Sequence, residues 1–144
     1  MDRKRDRNNK EEQMQKGYDS ANRPQYYLSI IIPAYNEEVR IGKTLSRIIS
    51  FVEAQPFRTE VLIVDNGSTD RTGEIVLDLL VKYPYIKYLY EPVRGKGAAV
   101  RNGVLSAMGE YLLLCDADMA VPINNVSKFL PPDEGAFDIV IGSR

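Results

Sequence analysis

The sequence contains no histidine and only one cysteine among its 144 residues. Without histidine there can be no Ser-His-Asp or Cys-His nucleophile pair, no imidazole zinc site and no imidazole general base, so carboxylates must carry any chemistry. Cys115 has no second cysteine to pair with, and the chain lacks the charged, then apolar, then small-residue succession of a signal peptide. These absences predict a cytoplasmic location.

Long apolar runs and a strong net charge are also missing. No run approaches the ~20 residues that a transmembrane helix needs, so we expect no membrane span, although the chain could lie peripherally at the cytoplasmic face of a membrane. Lys+Arg 19 against Asp+Glu 20 gives a formal net charge of −1, so no global field draws the protein to nucleic acid. The length is suited to a single domain.

The first 27 residues differ in composition from the rest. Met1 to Tyr27 contains no Val, Ile, Leu or Phe and mixes charges of both signs with Asn, Gln and Gly. Such a segment buries too little apolar surface to offset its ordering entropy, so we predict a disordered tail, with a docking arm as the alternative. The folded domain is predicted over residues 28–144.

From Leu28 onward, short apolar runs alternate with longer amphipathic ones. Five short runs, several of them β-branched, are typical of strands buried on both faces of a parallel sheet. They are Leu28–Pro33, Val61–Val64, Ile86–Tyr90, Tyr111–Cys115 and Phe137–Ile141. Three intervening segments have helical spacing, the third less clearly. Their spaced residues are Ile41, Leu45, Ile48, Ile49 and Val52, then Ile75, Val76, Leu79 and Leu80, then Ala98, Val100, Arg101, Val104, Leu105 and Met108. This order predicts right-handed βαβ crossovers and a mostly parallel sheet that binds ligands beyond its carboxyl ends.

The loop after the first predicted strand has both a structural and a binding interpretation. Pro33 stops the strand ladder, and Glu37 and Glu38 suit a helix N-terminus. Tyr35 stands on the ligand edge of the sheet. It is either only part of the strand end, or its ring packs against a nucleobase.

The loop after the second predicted strand is mostly turn and cap chemistry. Asn66–Gly67 is a turn pair, Ser68 or Thr69 can cap the next helix, and Asp70 suits its first turn. Asp65 has no such structural role. A half-buried carboxylate there needs a donor, which a nucleotide base or ribose could supply.

The segment Arg94-Gly95-Lys96-Gly97-Ala98-Ala99 follows the third predicted strand and opens a helix. Its small residues permit close backbone approach, and the helix N-terminus with Arg94 and Lys96 suits a phosphate group. Gly97 after Lys96 excludes a Walker A loop, and Val100 in place of the last glycine excludes the dinucleotide fingerprint. Taken alone, the segment is explained more simply by a tight turn.

Two acids follow the fourth predicted strand, in Leu112-Leu113-Leu114-Cys115-Asp116-Ala117-Asp118. Residues two apart in an extended chain point to the same side, so the carboxylates of Asp116 and Asp118 are expected to converge. A divalent cation would remove their repulsion, and oxygen-only ligands suit Mg²⁺ or Mn²⁺. The alternative is an exposed loop with two acids. Cys115 is expected to be a small core residue.

Four segments together resemble the family 2 glycosyltransferases with the GT-A fold. They are YLSIIIPAYNEE, VLIVDNGSTDRT, RGKGAAVRNG and YLLLCDADMA, in the order and spacing of that family, and the resemblance covers Tyr27 to Arg144. GKGAAVRNG, the DADMA loop and FDIVIGSR are most similar to the polyprenyl-phosphate sugar transferases, the relatives of dolichyl-phosphate mannose and glucose synthases. The resemblance implies a three-layer, Rossmann-like α/β domain that binds a nucleotide sugar.

The resemblance also implies roles for residues at the carboxyl edge of the sheet. Pro33, Ala34, Tyr35 and Glu37 are implied to line the nucleotide pocket, and Asp65 to hydrogen-bond the base. 

Further implied roles concern the metal and the diphosphate. Asp116 and Asp118 are the implied catalytic pair: Asp116 reaches the ribose or the metal, and Asp118 binds the metal, Mg²⁺ or Mn²⁺, on the donor diphosphate. Ala117 lies beside the nucleotide, and Lys96 is a looser inference as a phosphate contact. Many relatives carry a second Asp in place of Asn66, and we expect little consequence because the turn accepts either residue.

The reaction implied is a single displacement with inversion at the anomeric carbon of a UDP- or GDP-linked sugar. The acceptor is predicted to be a polyprenyl (dolichyl) phosphate, whose oxygen is already anionic and needs no general base. Family domains continue well beyond the GSR motif, so the domain is expected to be incomplete at its C-terminus, with little or no transferase activity by itself.

Three alternatives to this function remain open on the sequence. The acceptor could instead be a polysaccharide or a protein, or the chain could be a non-catalytic nucleotide-sugar-binding module. A sugar-nucleotide pyrophosphorylase is the nearest rival enzyme, but it should carry a Gly-rich signature after its first strand, where this chain has PAYNEE.

Overall fold

The computed structural model describes residues 24–119, 122–131 and 139. Within these residues, four parallel strands form one sheet in the order β3-β2-β1-β4. The strands are β1 (Tyr26–Ala34), β2 (Thr59–Asp65), β3 (Ile86–Tyr90) and β4 (Gly109–Leu114). The helices are α1 (Ile41–Ala54), α2 (Thr72–Leu80) and α3 (Lys96–Ser106), followed by a 3₁₀ helix, Ile123–Phe129. The predicted α/β class with a parallel sheet is confirmed.

Helices cover both faces of this sheet and make a three-layer domain. On one face, α1, α2 and the 3₁₀ helix share a core with residues such as Ile30 and Ile63. On the other face, Ala99 of α3 packs with Ile31 and Leu62. The central strands β1 and β2 are therefore buried on both sides, which explains their continuous apolar sequences. No helix in the described ranges is long and apolar enough to cross a membrane.

Strand β4 departs from the prediction that every strand is buried on both faces. Leu112 and Leu114 are 47% and 50% exposed, whereas Tyr111 and Leu113 on the opposite face pack against the core. The reason is that β4 lies at an edge of the described sheet, and α3 packs chiefly on β1 and β2.

The boundary between the predicted tail and the domain also needs correction. β1 begins at Tyr26, so Tyr26 and Tyr27 belong to the sheet and not to the tail. The Tyr27 ring lies 4.7 Å from the ring of Phe57 and 5.0 Å from that of Tyr111, and this packing holds the strand start in place. Aromatic residues are good strand formers, but the composition argument counted only aliphatic residues and Phe. Residues 1–23 and, apart from Ile139, the predicted fifth strand lie outside the described residues.

Helix α3 buries a different face from the one that its apolar residues predicted. The buried residues are Ala99 and Gly103, while Val104 and Leu105 are 41% and 70% exposed. A Cβ atom added to Gly103 would clash with the Cγ2 atom of Ile31. The helix therefore approaches the sheet through its smallest residues, a contact that apolar periodicity cannot reveal.

We expect Gly103→Ala to lower the free energy of unfolding by about 1–3 kcal/mol, because the added methyl group overpacks the contact with the sheet. Gly42→Ala in α1 is the matched control. The Cβ atom there would meet nothing nearer than 3.9 Å, so we expect unchanged stability or a gain of up to about 1 kcal/mol. Urea unfolding of both variants measures the difference, and equal stability of the two would contradict the close approach.

Candidate functional site

Loops at the carboxyl ends of the strands surround one open cavity of about 520 Å³. Its walls come from the end of β1 and the loop that follows, from the loops after β2, β3 and β4, and from the start of α3. The lining residues are Pro33, Ala34, Tyr35, Glu37, Arg40, Asn66, Arg94, Gly95, Lys96, Ala99, Asp116, Ala117 and Asp118. The cavity lies where parallel α/β sheets place their ligands.

The structure brings together every predicted site residue except Asp65. It also adds residues to which the sequence argument gave no binding role, namely Arg40, Asn66 and Ala99. Arg40 lies in the turn just before α1, and an arginine in a turn gives no signal of ligand binding in the sequence. Asn66 belongs to an Asn-Gly pair that a turn explains completely.

The two acids after β4 lie in a turn, and not in the extended chain from which their convergence was predicted. The amide of Met119 donates to the carbonyl of Asp116 at 3.0 Å, and Met119 has a φ of 47°. Ala117 in the middle is 4% exposed, and its carbonyl accepts a hydrogen bond of 2.6 Å from the hydroxyl of Thr44 in α1. The turn is therefore held to the core by its central residue, while Asp116 and Asp118 are exposed at the cavity.

The charges at the cavity include both cations and carboxylates. Lys96, the first residue of α3, donates from Nζ to Oδ1 of Asp116 at 2.5 Å, and both side chains are more than half exposed. Arg94 lines the same cavity. Burial, together with the nearby carboxylates of Asp116 and Asp118, raises the pKa of the Cys115 thiol to about 11. Cys115 is therefore a protonated, partly buried residue rather than a nucleophile.

Two carboxylates on one turn fit a hard divalent cation. Mg²⁺ and Mn²⁺ prefer oxygen ligands, and Mg²⁺ commonly uses one or two protein carboxylates together with substrate phosphates. The described part of the chain contains no group of three or more His, Cys, Asp or Glu side chains able to hold a metal. Asp116 and Asp118 thus fit an ion that a bound diphosphate helps to coordinate.

Asp65 makes structural hydrogen bonds that the sequence argument did not predict. It is 3% exposed, and its carboxylate accepts hydrogen bonds from the amide of Ser68 at 2.8 Å and the hydroxyl of Tyr88 at 2.7 Å. The interpretation that it lacks a structural role is therefore wrong, because the chain itself supplies its donors. Burial and the hydrogen bond to Asp65 both raise the pKa of Tyr88, which keeps the hydroxyl protonated. A contact between Asp65 and a base stays a prediction.

The loops after β1 and β2 are joined side by side through polar side chains. The amide of Asn36, at a φ of 51°, donates to Oγ of Ser68 at 3.0 Å, and Oδ1 of Asn36 accepts from the amide of Thr69 at 2.8 Å. Asp70 accepts from both the amide and the hydroxyl of Thr72 at the start of α2. Asp70 therefore binds the first residue of α2 without being its N-cap residue, which is Arg71. Like Ser68 and Thr69, it also bonds to the neighbouring loop, where it accepts from the amide of Glu38 at 3.1 Å.

The acids that were predicted to begin α1 also lie before the helix. No acidic residue stands in its first turn. The amide of Glu37 donates to the Thr72 hydroxyl at 2.8 Å, and its carboxylate accepts from Nε of Arg40 at 2.9 Å. Glu38 accepts from the amide of Arg71 at 3.1 Å. These contacts hold the segment that carries Tyr35, whose ring is 48% exposed at the cavity.

Asn66 binds the loop that follows β3. Its side-chain amide donates to the carbonyl of Glu91 at 3.1 Å and to that of Val93 at 2.7 Å, while its oxygen accepts from the amide of Gly95 at 2.9 Å. The expectation that Asp would serve equally well does not hold for this loop, because a carboxylate cannot donate to two carbonyl groups.

This parallel sheet, with helices on both faces and charged loops around a cavity at its carboxyl edge, is an α/β domain with a candidate ligand site. The family model for "Glycosyl transferase family 2" matches residues 29–144, and the chain belongs to this family.

The similar proteins include enzymes named for dolichyl phosphate and structures bound to nucleotides. A dolichyl-phosphate beta-glucosyltransferase of Trichomonas vaginalis is 38% identical over 135 residues, which cover 85% of this chain and 41% of that protein. The chain thus spans about two fifths of the length of such relatives. The mannosyltransferase PcManGT from Pyrobaculum calidifontis, in complex with GDP-Man and Mn²⁺, is 29% identical, with a TM-score of 0.60 over 81% of this chain and 35% of that one. TarS of S. aureus in complex with UDP is 31% identical, with a TM-score of 0.56 over 64% of this chain and 27% of the other.

Proposed function

We propose that this chain supplies the donor-binding part of an inverting glucosyltransferase that transfers glucose from a nucleoside-diphosphate sugar to dolichyl phosphate. The single observation that carries the proposal is the cavity at the carboxyl edge of the sheet, where Lys96, Arg94 and the Asp116–Asp118 turn face one space. The names of the relatives, dolichyl-phosphate beta-glucosyltransferases, support glucose as the sugar and dolichyl phosphate as the acceptor.

The cavity offers a separate surface for each part of a nucleotide sugar. The half-exposed ring of Tyr35 offers an apolar face on which a nucleobase can stack. Arg94 and Lys96 offer cationic groups to a diphosphate, and the N-terminus of α3 adds unpaired amide groups next to them. The complexes of similar proteins with UDP and with GDP-Man support both uridine and guanosine donors, so the proposal names the sugar and the diphosphate rather than the base.

Asp116 and Asp118 would hold the divalent cation, Mg²⁺ or Mn²⁺, on the diphosphate of the donor. When bound there, such a cation neutralises negative charge that develops on the departing nucleoside diphosphate. The Mn²⁺ in the mannosyltransferase complex supports this role. Lys96, which pairs with Asp116 in this structure, stands close enough to share that task.

The proposed displacement needs no base from this chain. An oxygen of the dolichyl phosphate bonds to the anomeric carbon as the bond from that carbon to the donor phosphate breaks, and the electron pair leaves with the nucleoside diphosphate. Because the acceptor oxygen is already anionic, no proton has to be removed, which agrees with a chain that contains no histidine. With such an acceptor, we propose that the protein acts peripherally at the cytoplasmic face of a membrane.

Calorimetry with UDP-glucose, GDP-glucose and GDP-mannose, each with and without Mn²⁺, tests the donor site. We expect at least one glucose nucleotide to bind, and Mn²⁺ to tighten its binding by about 100-fold. If none of these nucleotides binds under either condition, the proposed function is wrong. A transfer assay on vesicles that contain dolichyl phosphate then separates a transferase from a nucleotide-sugar-binding module, since only a transferase forms glucosyl lipid.

A further inference from the structure

Asn66 contacts two different elements at the edge of the cavity. Its backbone amide donates to the carbonyl of Ala34, the last residue of β1, at 2.9 Å. Its side chain makes three hydrogen bonds to the loop after β3, with Glu91, Val93 and Gly95. These three partners alternate along the loop, so a single amide group fixes the curve of the backbone between them.

The chemistry of these contacts selects asparagine. The side chain must donate two hydrogen bonds and accept one, and it is 8% exposed, so water cannot replace a lost partner at most of its surface. Aspartate keeps an acceptor for Gly95 but sets a carboxylate oxygen against the carbonyls of Glu91 and Val93. Alanine removes all three bonds.

The loop that Asn66 holds leads directly to Lys96. Gly95 has a φ of 125°, which residues with a side chain rarely adopt. Its carbonyl accepts hydrogen bonds from the amides of Ala98 and Ala99 in the first turn of α3. Fixing the Gly95 amide therefore fixes where the helix begins. Lys96, the next residue, projects from that point to Asp116.

We infer that Asn66 is a positioning residue that fixes the loop 91–95 and thereby sets Lys96 at the diphosphate end of the cavity. The inference rests on the proposed function for the identity of the ligand. The hydrogen bonds on which it depends are independent of any ligand, so the two parts can fail separately.

The first test measures amide hydrogen exchange by NMR in the free protein. We expect Asn66→Ala to speed exchange of the Gly95 amide by about 10-fold or more, since that amide loses its acceptor. The Tyr83 amide, which donates to the carbonyl of Leu79 at 3.0 Å and lies outside loop 91–95, is an internal control. Unchanged exchange at Ile31 and Ile63 in the central strands would show that the fold is intact. With the fold intact, an unchanged Gly95 rate would overturn the inference.

The second test compares ligands with and without phosphates. In the presence of Mn²⁺, we expect Asn66→Ala to lower the affinity for UDP or GDP, whichever nucleotide the wild-type chain binds, by about 10-fold. The corresponding nucleoside should bind within about twofold of wild type, because it makes no contact with Lys96. Asn66→Asp should show the same split, and the neutral alanine variant excludes simple charge repulsion as its cause.

Asn124→Asp serves as the matched control, since Asn124 lies in the 3₁₀ helix outside the cavity and the same charge change there should leave both affinities unchanged. Equal losses of nucleotide and nucleoside affinity in Asn66→Ala would overturn the positioning role. If wild-type protein binds neither nucleotide, the proposed function fails, and the Gly95 exchange rate alone decides whether Asn66 fixes the loop.

Discussion

We expect Asp118→Ala to remove the metal-dependent part of nucleotide binding and to leave the fold intact. The side chain is exposed in a turn that is anchored by its neighbour Ala117, so its loss should change stability by no more than about 0.5 kcal/mol. The variant keeps only one of the two carboxylates proposed to hold the cation. We expect UDP or GDP affinity in Mn²⁺ to fall by about 100-fold, which corresponds to about 3 kcal/mol. Calorimetry in Mn²⁺ and in EDTA measures this difference directly.

Asp78→Ala provides the matched control, because Asp78 is an exposed acid of α2 and does not line the cavity. Asp116→Ala gives a second, different signature. It also removes a proposed metal ligand, but it releases Lys96 from its ion pair, so binding in EDTA should be no weaker than in wild type. If Asp118→Ala binds the nucleotide in Mn²⁺ as tightly as wild type does, the assignment of a metal to this site is wrong.

The positions of the strands and the side of the sheet that carries the site follow directly from sequence patterns. Continuous apolar runs mark β1 and β2 because both of their faces are covered, and helices must then cross between parallel neighbours. The loop residues at the carboxyl ends consequently meet, which is why Tyr35, Lys96 and Asp116 line one cavity.

Contacts between distant loops could not be predicted in the same way. The donors of Asp65 come from Ser68 in its own loop and from Tyr88 on β3, and the second of these depends on strand order. The partners of the Asn66 side chain lie 25 to 29 residues away, on a loop whose curvature has no signature in composition. A turn or cap role is therefore enough to account for such polar residues in the sequence, so their hydrogen bonds to distant loops are not predicted.

The Asp116–Ala117–Asp118 turn has a geometry different from the extended strand that the sequence argument assumed. Alternation along an extended strand would place the two acids on one side, but β4 has ended before them at Leu114. Instead, the small apolar Ala117 enters the core, and Thr44 binds its carbonyl, so the flanking acids turn outward. The alternation of acid, alanine and acid reports burial of the middle residue rather than strand periodicity.

The second large effect concerns stability and lies within the sheet, away from the cavity. Glu60 of β2 is fully buried, and its carboxylate accepts hydrogen bonds from the hydroxyl of Ser29 at 2.5 Å, the amide of Met108 at 2.6 Å and Nζ of Lys87 at 2.6 Å. The Ser29 hydroxyl in turn accepts from the amide of Gly109 at 2.8 Å. One carboxylate thus connects all four strands or their flanking residues.

We expect Glu60→Ala to lower the free energy of unfolding by about 3–5 kcal/mol, because it leaves several buried donors without an acceptor and Lys87 without its counter-charge. Denaturant unfolding measures the loss, and Lys43→Met, at an exposed site on α1, should stay within about 0.5 kcal/mol of wild type. A loss below about 1 kcal/mol in Glu60→Ala would mean that water or a repacked side chain satisfies these donors.

The same carboxylate gives stability a defined dependence on pH. Burial acts to raise the pKa of Glu60, but the hydrogen bonds from Lys87, Ser29 and Met108 outweigh it and lower the pKa below the ordinary value of 4.5. A group with a lowered pKa in the folded state contributes stability above its unfolded pKa and loses it as the pH falls through the folded value. We therefore expect wild type to lose stability below about pH 4.5, in a step that Glu60→Ala lacks.

Lys87→Met should reverse the sign of this dependence. It leaves the Glu60 carboxylate buried with neutral donors only, so burial prevails and the pKa of Glu60 rises above its unfolded value. Protonation then relieves the buried charge, and the variant should become more stable, relative to wild type, as the pH falls from 7 toward 5. If the stability difference between Lys87→Met and wild type instead stays constant from pH 7 to pH 5, the Lys87 ammonium is not what keeps Glu60 ionised.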